Sequence, residues 1–143
     1  MEFSTGEGIP ANELSIFFRD IFSSSEGPAE GELIGSLVRR LVSETPSEDV
    51  WSFVACDGNA LVGAIIFSRL RFEQEAKTIV VLGPVAVATA RQGKGIGQTL
   101  IAHGLAELRS AGVEIAVTYG DPGFYGKAKG IKALTETEAT RID

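Results

Sequence analysis

The chain has 143 residues with 13 Lys+Arg against 19 Asp+Glu, a formal net charge of −6, one Cys and one His. One domain is the expectation at this length, and a chain of about 150 residues buries roughly two-thirds of its unfolded surface, so it needs no staples. Cys56 alone excludes an internal disulfide framework, and Cys56 with His103 cannot supply a closed zinc site, which leaves only a carboxylate site open.

The acidic balance speaks against nucleic acid, whose binders carry a basic patch, and suits a small or cationic partner. Met1-Glu2-Phe3-Ser4-Thr5-Gly6 lacks the basic stretch and apolar core of a signal peptide. The longest apolar run, Ile79 to Ala88, is interrupted by Gly83-Pro84 and is too short to span a bilayer. The expectation is a soluble cytoplasmic protein with no membrane partner.

A short extended piece near Phe3 precedes a first helix, whose apolar stripe is Leu14, Phe17, Phe18, Ile21 and Phe22. Ser23 through Pro28 should break it. A second helical period, Leu33, Ile34, Leu37, Val38 and Leu41, closes before Pro46. The period then changes to two. Trp51 to Cys56 and Leu61 to Leu70 are strands joined by Asp57-Gly58-Asn59, a tight hairpin turn that needs positive φ.

Thr78 to Val87 is a nearly continuous apolar strand, as expected when both sheet faces are covered. Pro84 in its middle cannot donate to a ladder, so the strand should bulge or splay there. A glycine-rich turn leads to a helix with the buried stripe Ile96, Leu100, Leu105 and Leu108, stopped by Gly112. Val113 to Tyr119 reads as a strand. Asp121-Pro122 opens a short helix through about Lys129. Residues 131–143 are polar and carry no clear strand pattern. The order defines an α/β protein with a mixed sheet flanked by helices and a short or incomplete C-terminal part, one domain over residues 1–143.

The informative stretch is Val85-Ala86-Val87-Ala88-Thr89-Ala90-Arg91-Gln92-Gly93-Lys94-Gly95-Ile96-Gly97. A strand ends in a turn with three glycines in five positions, and that turn feeds the start of a long helix. Free N–H groups and the positive end of the helix dipole make an anion site there, and the missing Cβ atoms admit a phosphate to the main chain. Lys94 adds a positive charge. A plain tight turn is the competing reading. The spacing is neither the dinucleotide fingerprint nor the nucleoside-triphosphate loop, since Gly95 follows Lys94 where the latter needs Ser or Thr.

Gln92-Gly93-Lys94-Gly95-Ile96-Gly97 resembles the acyl-CoA signature of the GCN5-related N-acetyltransferase (GNAT) family. Leu82-Gly83-Pro84-Val85-Ala86-Val87 is similar to that family's bulged fourth strand, and Gly120-Asp121-Pro122-Gly123-Phe124-Tyr125-Gly126-Lys127 to its Phe-Tyr-x-Lys step. The Gly-Asp-Pro variant resembles a bacterial subgroup of predicted N-acetyltransferases.

The resemblance implies acetyl-CoA as cosubstrate, with no metal, and a primary amine on a small molecule or peptide as acceptor, attacking the thioester directly. It implies that the backbone of Gln92, Gly93, Lys94, Gly95, Ile96 and Gly97 cradles the pyrophosphate. Val85, Ala86 and Val87 then run beside the pantetheine arm, the Val87 N–H polarising the thioester carbonyl. Tyr125 is the implied general acid, a phenol within reach of the leaving thiolate.

The family continues through two further strands that wall the acceptor site, yet only 12 residues follow Ile131. A homodimer partner supplies that wall, or the protein manages without it. A non-catalytic acyl-CoA binding module is the alternative from another class, and an unrelated phosphate-binding α/β protein a third. No general base is evident: Glu73 and Glu75 are the nearest carboxylates, and water can take the amine proton. Glu26, Glu30 and Glu32 between the first two helices would attract a cationic amine, or simply form a solvated helix start. His103, Trp51 and Cys56 read as structural.

Overall fold

The structure, a computed structural model, describes residues 1–70, 78–118, 131–133 and 139–142. In chain order it contains β1 (Glu2–Thr5), α1 (Ala11–Glu26), α2 (Pro28–Glu44), β2 (Val50–Asp57), β3 (Ala60–Leu70), β4 (Ile79–Val87), α3 (Ile96–Ser110), β5 (Ile115–Thr118), β6 (Ile131–Ala133) and β7 (Ala139–Ile142). All the strands join one seven-stranded sheet in the order β1-β2-β3-β4-β5-β7-β6. Neighbours are antiparallel except β4 and β5, the parallel pair that α3 connects.

The mixed sheet expected from the order of elements is present, and the polar C-terminus corrects the reading made from its pattern. Ile131–Ala133 and Ala139–Ile142 are strands, with Ala139 to Arg141 paired to Val117 through Ile115. They are short, and polar sequence hid them because their alternation spans only three and four residues. The fourth helix expected from Asp121 lies outside the described residues.

Alternation along the strands sends side chains to two cores, one on each sheet face. Phe53, Ala55, Ile65, Phe67, Val80 and Leu82 meet the α3 side chains Ile96, Leu100, Ile101, Leu105 and Leu108. Val54, Ala64, Ile66 and Ala86 meet Leu14, Phe18 and Val38 of α1 and α2. The predicted α3 stripe is therefore buried as expected, with Ile101 and Gly104 added to it. Gly104 is required there, because a Cβ would stand 2.6 Å from the Phe67 ring.

Two helix readings need correction. The three serines Ser23 to Ser25 do not break α1, which runs to Glu26, and Gly27 alone, at φ +99°, turns the chain into α2 with Pro28 at its first position. Of the α2 stripe, Val38 is buried and Ile34 and Leu41 pack against the core, but Leu33 and Leu37 do not. Leu33 and Leu37 are 63% and 42% exposed, while Gly31, Gly35 and Val38 are buried. The cause is close helix packing: a Cβ on Gly31 would stand 2.7 Å from the Arg19 carbonyl, and Ser15 Oγ donates to the Gly35 carbonyl at 2.7 Å. The glycine side seats against α1 and turns Leu33 and Leu37 outward.

The remaining single residues are structural. Trp51 packs half-buried against the α3-side core. His103 meets Phe53 edge-on at 5.7 Å between ring centroids. Cys56 is half-buried beside the α1/α2-side core.

Candidate functional site

The site grows from an irregularity in β4. Its register against β3 runs Ile65 with Val85 and then Phe67 with Leu82, so Ile66 faces both Gly83 and Pro84. This is a β-bulge, with Gly83 at φ +129°, a backbone conformation that favours glycine, and a cis Gly83-Pro84 bond. The extra residue inverts the facing of the strand. Leu82 points to the α3 core and Ala86, four residues on, to the opposite one. The bulge expected from Pro84 is thus present.

The bulge also marks where pairing changes. On its other side β4 pairs with β5 from Ile79 to Leu82, and beyond Leu82 no described strand borders that edge. Ala88 donates its N–H to the Val62 carbonyl at 2.8 Å. Backbone polar groups alternate along a strand, so Ala86 also faces β3, and Val85 and Val87 turn their N–H and C=O groups to the unbordered edge. A side chain confirms that direction: Gln92 Nε2 donates to the Val87 carbonyl at 3.0 Å. The Val87 N–H is then its remaining polar group on that edge.

The chain leaves β4 through a 3-10 turn, Thr89–Arg91, and reaches α3 across Gln92 to Gly95. Gly93 and Gly95 have φ of +79° and +82°, and a Cβ on either would meet only open space. The turn needs them for their backbone, and the space before them is free. Gln92 directs its N–H back to the Thr89 carbonyl at 3.4 Å, whereas no described backbone carbonyl takes the N–H of Gly93, Lys94, Gly95, Ile96 or Gly97.

The start of α3 has no side-chain cap and no acidic residue in its first turn. Thr99 closes that turn on the Gly95 carbonyl, with its N–H at 3.0 Å and its hydroxyl at 2.9 Å. Five consecutive donors at a dipole's positive end, with exposed Lys94 among them, can hold a phosphate anion. The residues present therefore fit the pyrophosphate of an acyl-CoA, and the unbordered edge of Val85 and Val87 fits an extended amide-bearing arm.

Sequence reading assigned no role to three features of this region. One is the Gln92 amide on Val87. The others form a pair: Arg91 Nη2 donates to Asp57 Oδ2 at 2.6 Å, joining the phosphate turn to the β2–β3 hairpin. The hydrogen bond from Arg91, reinforced by its charge, holds the Asp57 carboxyl below the ordinary 3.8. Asp57 and Arg91 stand 34 residues apart, a separation at which spacing gives no signal.

Tyr125, Glu73 and Glu75 lie outside the described residues. Glu26, Glu30 and Glu32 are exposed around the α1–α2 joint. Glu32 shares an outer groove with Arg19 and Arg39, two cations that work against a cationic ligand there. Among the described residues no group of His, Cys, Asp or Glu is arranged to hold a metal ion, and no helix is long and apolar enough to cross a membrane.

Among the described residues, a bulged strand with one edge unpaired beyond Leu82 runs into a helix start without a side-chain cap. The acetyltransferase (GNAT) family matches residues 15–125 of the chain. The chain belongs to that family.

YjhQ, an uncharacterised N-acetyltransferase of Escherichia coli K12, is 31% identical over 91 residues, covering 62% of this chain and 50% of that protein. The match thus spans about half the length of this curated relative. A GNAT acetyltransferase of Brucella melitensis, solved with acetyl-CoA, is 31% identical with a TM-score of 0.79, covering 99% of this chain and 86% of that one. The fold is also that of YhbS from Escherichia coli, solved with CoA, at 24% identity and a TM-score of 0.78 over 99% and 81% of the two chains.

Proposed function

We propose that the protein transfers the acetyl group of acetyl-CoA to a primary amine, on a small molecule or a peptide, by direct attack. The observation that carries this reading is the order of two donor surfaces along the chain. Outward N–H groups of Val85 and Val87 are followed, across the 3-10 turn Thr89–Arg91, by the donors of Gly93 to Gly97. An acyl-CoA has the matching order of parts, thioester and amides first and pyrophosphate after them.

The amine lone pair attacks the thioester carbonyl carbon, and the carbonyl electrons move onto its oxygen. The Val87 N–H stabilises that oxyanion, and Val85 offers the same kind of donor two residues nearer the bulge. Collapse breaks the C–S bond, Tyr125 gives its phenolic proton to the leaving thiolate, and water accepts the proton lost by the amine. The anion-binding backbone of Gln92, Gly93, Lys94, Gly95, Ile96 and Gly97 holds the cosubstrate in place.

β6 and β7 extend the sheet beyond β5 within this chain, which supports the catalytic reading over a non-catalytic binder. The lone Cys56 suits the reducing cytoplasm, where we place the reaction. The test is free-thiol release from acetyl-CoA over a panel of amines and peptide N-termini. Acceptor-dependent turnover that falls at least tenfold in Tyr125→Phe supports the reading. Absence of turnover with every amine, or turnover indifferent to Tyr125→Phe, would remove it.

A further inference from the structure

The turn that bears the phosphate donors is tied to the sheet by two consecutive side chains reaching different strands. Gln92 bonds to Val87 on β4, and Arg91 bonds to Asp57 at the end of β2. These side-chain tethers add to the backbone bonds of Ala88 to Val62 and Gln92 to Thr89. Two tethers to separate strands fix its orientation, and with it the aim of the Gly93 to Gly97 N–H groups. A carboxylate beside an anion site would ordinarily repel the ligand, but the charge of Asp57 is committed to Arg91 at 2.6 Å.

We infer that Asp57 is a positioning residue for the acyl-CoA pyrophosphate, acting through Arg91. This rests on the acetyl-CoA reading above. Asp57 touches no part of the ligand; it holds the entrance of the phosphate turn against the hairpin, so the donors are oriented before the cosubstrate arrives. That lowers the ordering cost of binding.

Asp57→Asn is the suitable variant, because Asn has the same liking for the position before Gly58, at φ +61°, and loses only the charge. Calorimetric titration with acetyl-CoA should show binding roughly three- to fivefold weaker than wild type, the size of an exposed but tight ion pair. Arg91→Gln should weaken binding equally alone and add nothing to Asp57→Asn, because both remove one tether. The KM for S-acetylpantetheine, which lacks the pyrophosphate, should be the same in all the proteins.

Acetyl-CoA binding that is unchanged or tighter in Asp57→Asn would overturn the inference, since the carboxylate would then be idle or repulsive. So would a further loss from Arg91→Gln in the Asp57→Asn background, because Arg91 would then contact phosphate itself. A parallel loss of S-acetylpantetheine would overturn it as well. Wild-type protein that binds no acetyl-CoA brings down the acetyl-transfer reading and this inference together, whereas wild-type binding with any of the other results brings down this inference alone.

Discussion

The two halves of β4 share a strand and differ in what their backbones do. From Ile79 to Leu82 the strand is held on both edges, by β3 and by β5, and Val80 and Leu82 are buried. From Val85 to Val87 it is held, among the described strands, by β3 alone, and Val85 and Val87 are only half-buried. Gly83-Pro84 separates the halves. The first half spends its polar groups on the fold, and the second leaves the N–H groups of Val85 and Val87 outside any ladder of the described strands. Stability and binding should therefore respond to different residues of one strand.

The largest effect belongs to the doubly paired half. Leu82 is 3% exposed in the core under α3, and Leu82→Ala should cost about 2–5 kcal/mol in denaturant unfolding. The folded fraction should still bind acetyl-CoA as wild type does. A weakened affinity per folded molecule would show that the two halves are coupled through the bulge.

The open half gives the complementary result. Proline at Val87 removes an N–H that no ladder uses, so the fold should survive, as at an edge strand. If that N–H meets the oxyanion, kcat should fall about 10²–10³-fold, the usual cost of one such donor. Proline at Ala86 removes an N–H on the β3 side and should lower stability instead. Equal loss of stability in Val87→Pro and Ala86→Pro would break the comparison.

A smaller effect is expected at the phosphate turn. Gly95 stands at φ +82° with nothing near its missing Cβ, so Gly95→Ala meets strain rather than a clash. The cost should be about 1–2 kcal/mol, shared between stability and acetyl-CoA affinity as the turn relaxes.

Much of this arrangement was legible because it is local. Pro84 announced the bulge, the glycines from Gly93 to Gly97 announced a turn whose backbone needs positive φ, and hydrophobic period separated helices from strands. What stayed hidden depends on partners distant in sequence. The leucines of α2 obey the helical period as well as any core residue, and only the glycine contacts with α1 turn Leu33 and Leu37 outward. β6 and β7 are too short for alternation to reveal, and exist because β5 offers an edge. The outward aim of Val87 follows from hydrogen-bond phase, which composition does not record.

The smallest expected effect concerns pH, and it tests whether the tether at Asp57 serves the open half of β4. The Arg91 hydrogen bond, then its charge, lowers the Asp57 pKa below the ordinary 3.8. A carboxylate depressed in the folded state adds stability above its unfolded pKa and loses it as pH falls through the folded value. That loss lies in the acid range below 3.8, so between pH 5 and 8 the tether stays fully charged. The affinity ratio between wild type and Asp57→Asn should therefore be flat from pH 5 to 8. A ratio that shrinks as pH falls within that window would mean that Asp57 takes up a proton there, which a carboxylate held by Arg91 at 2.6 Å does not do.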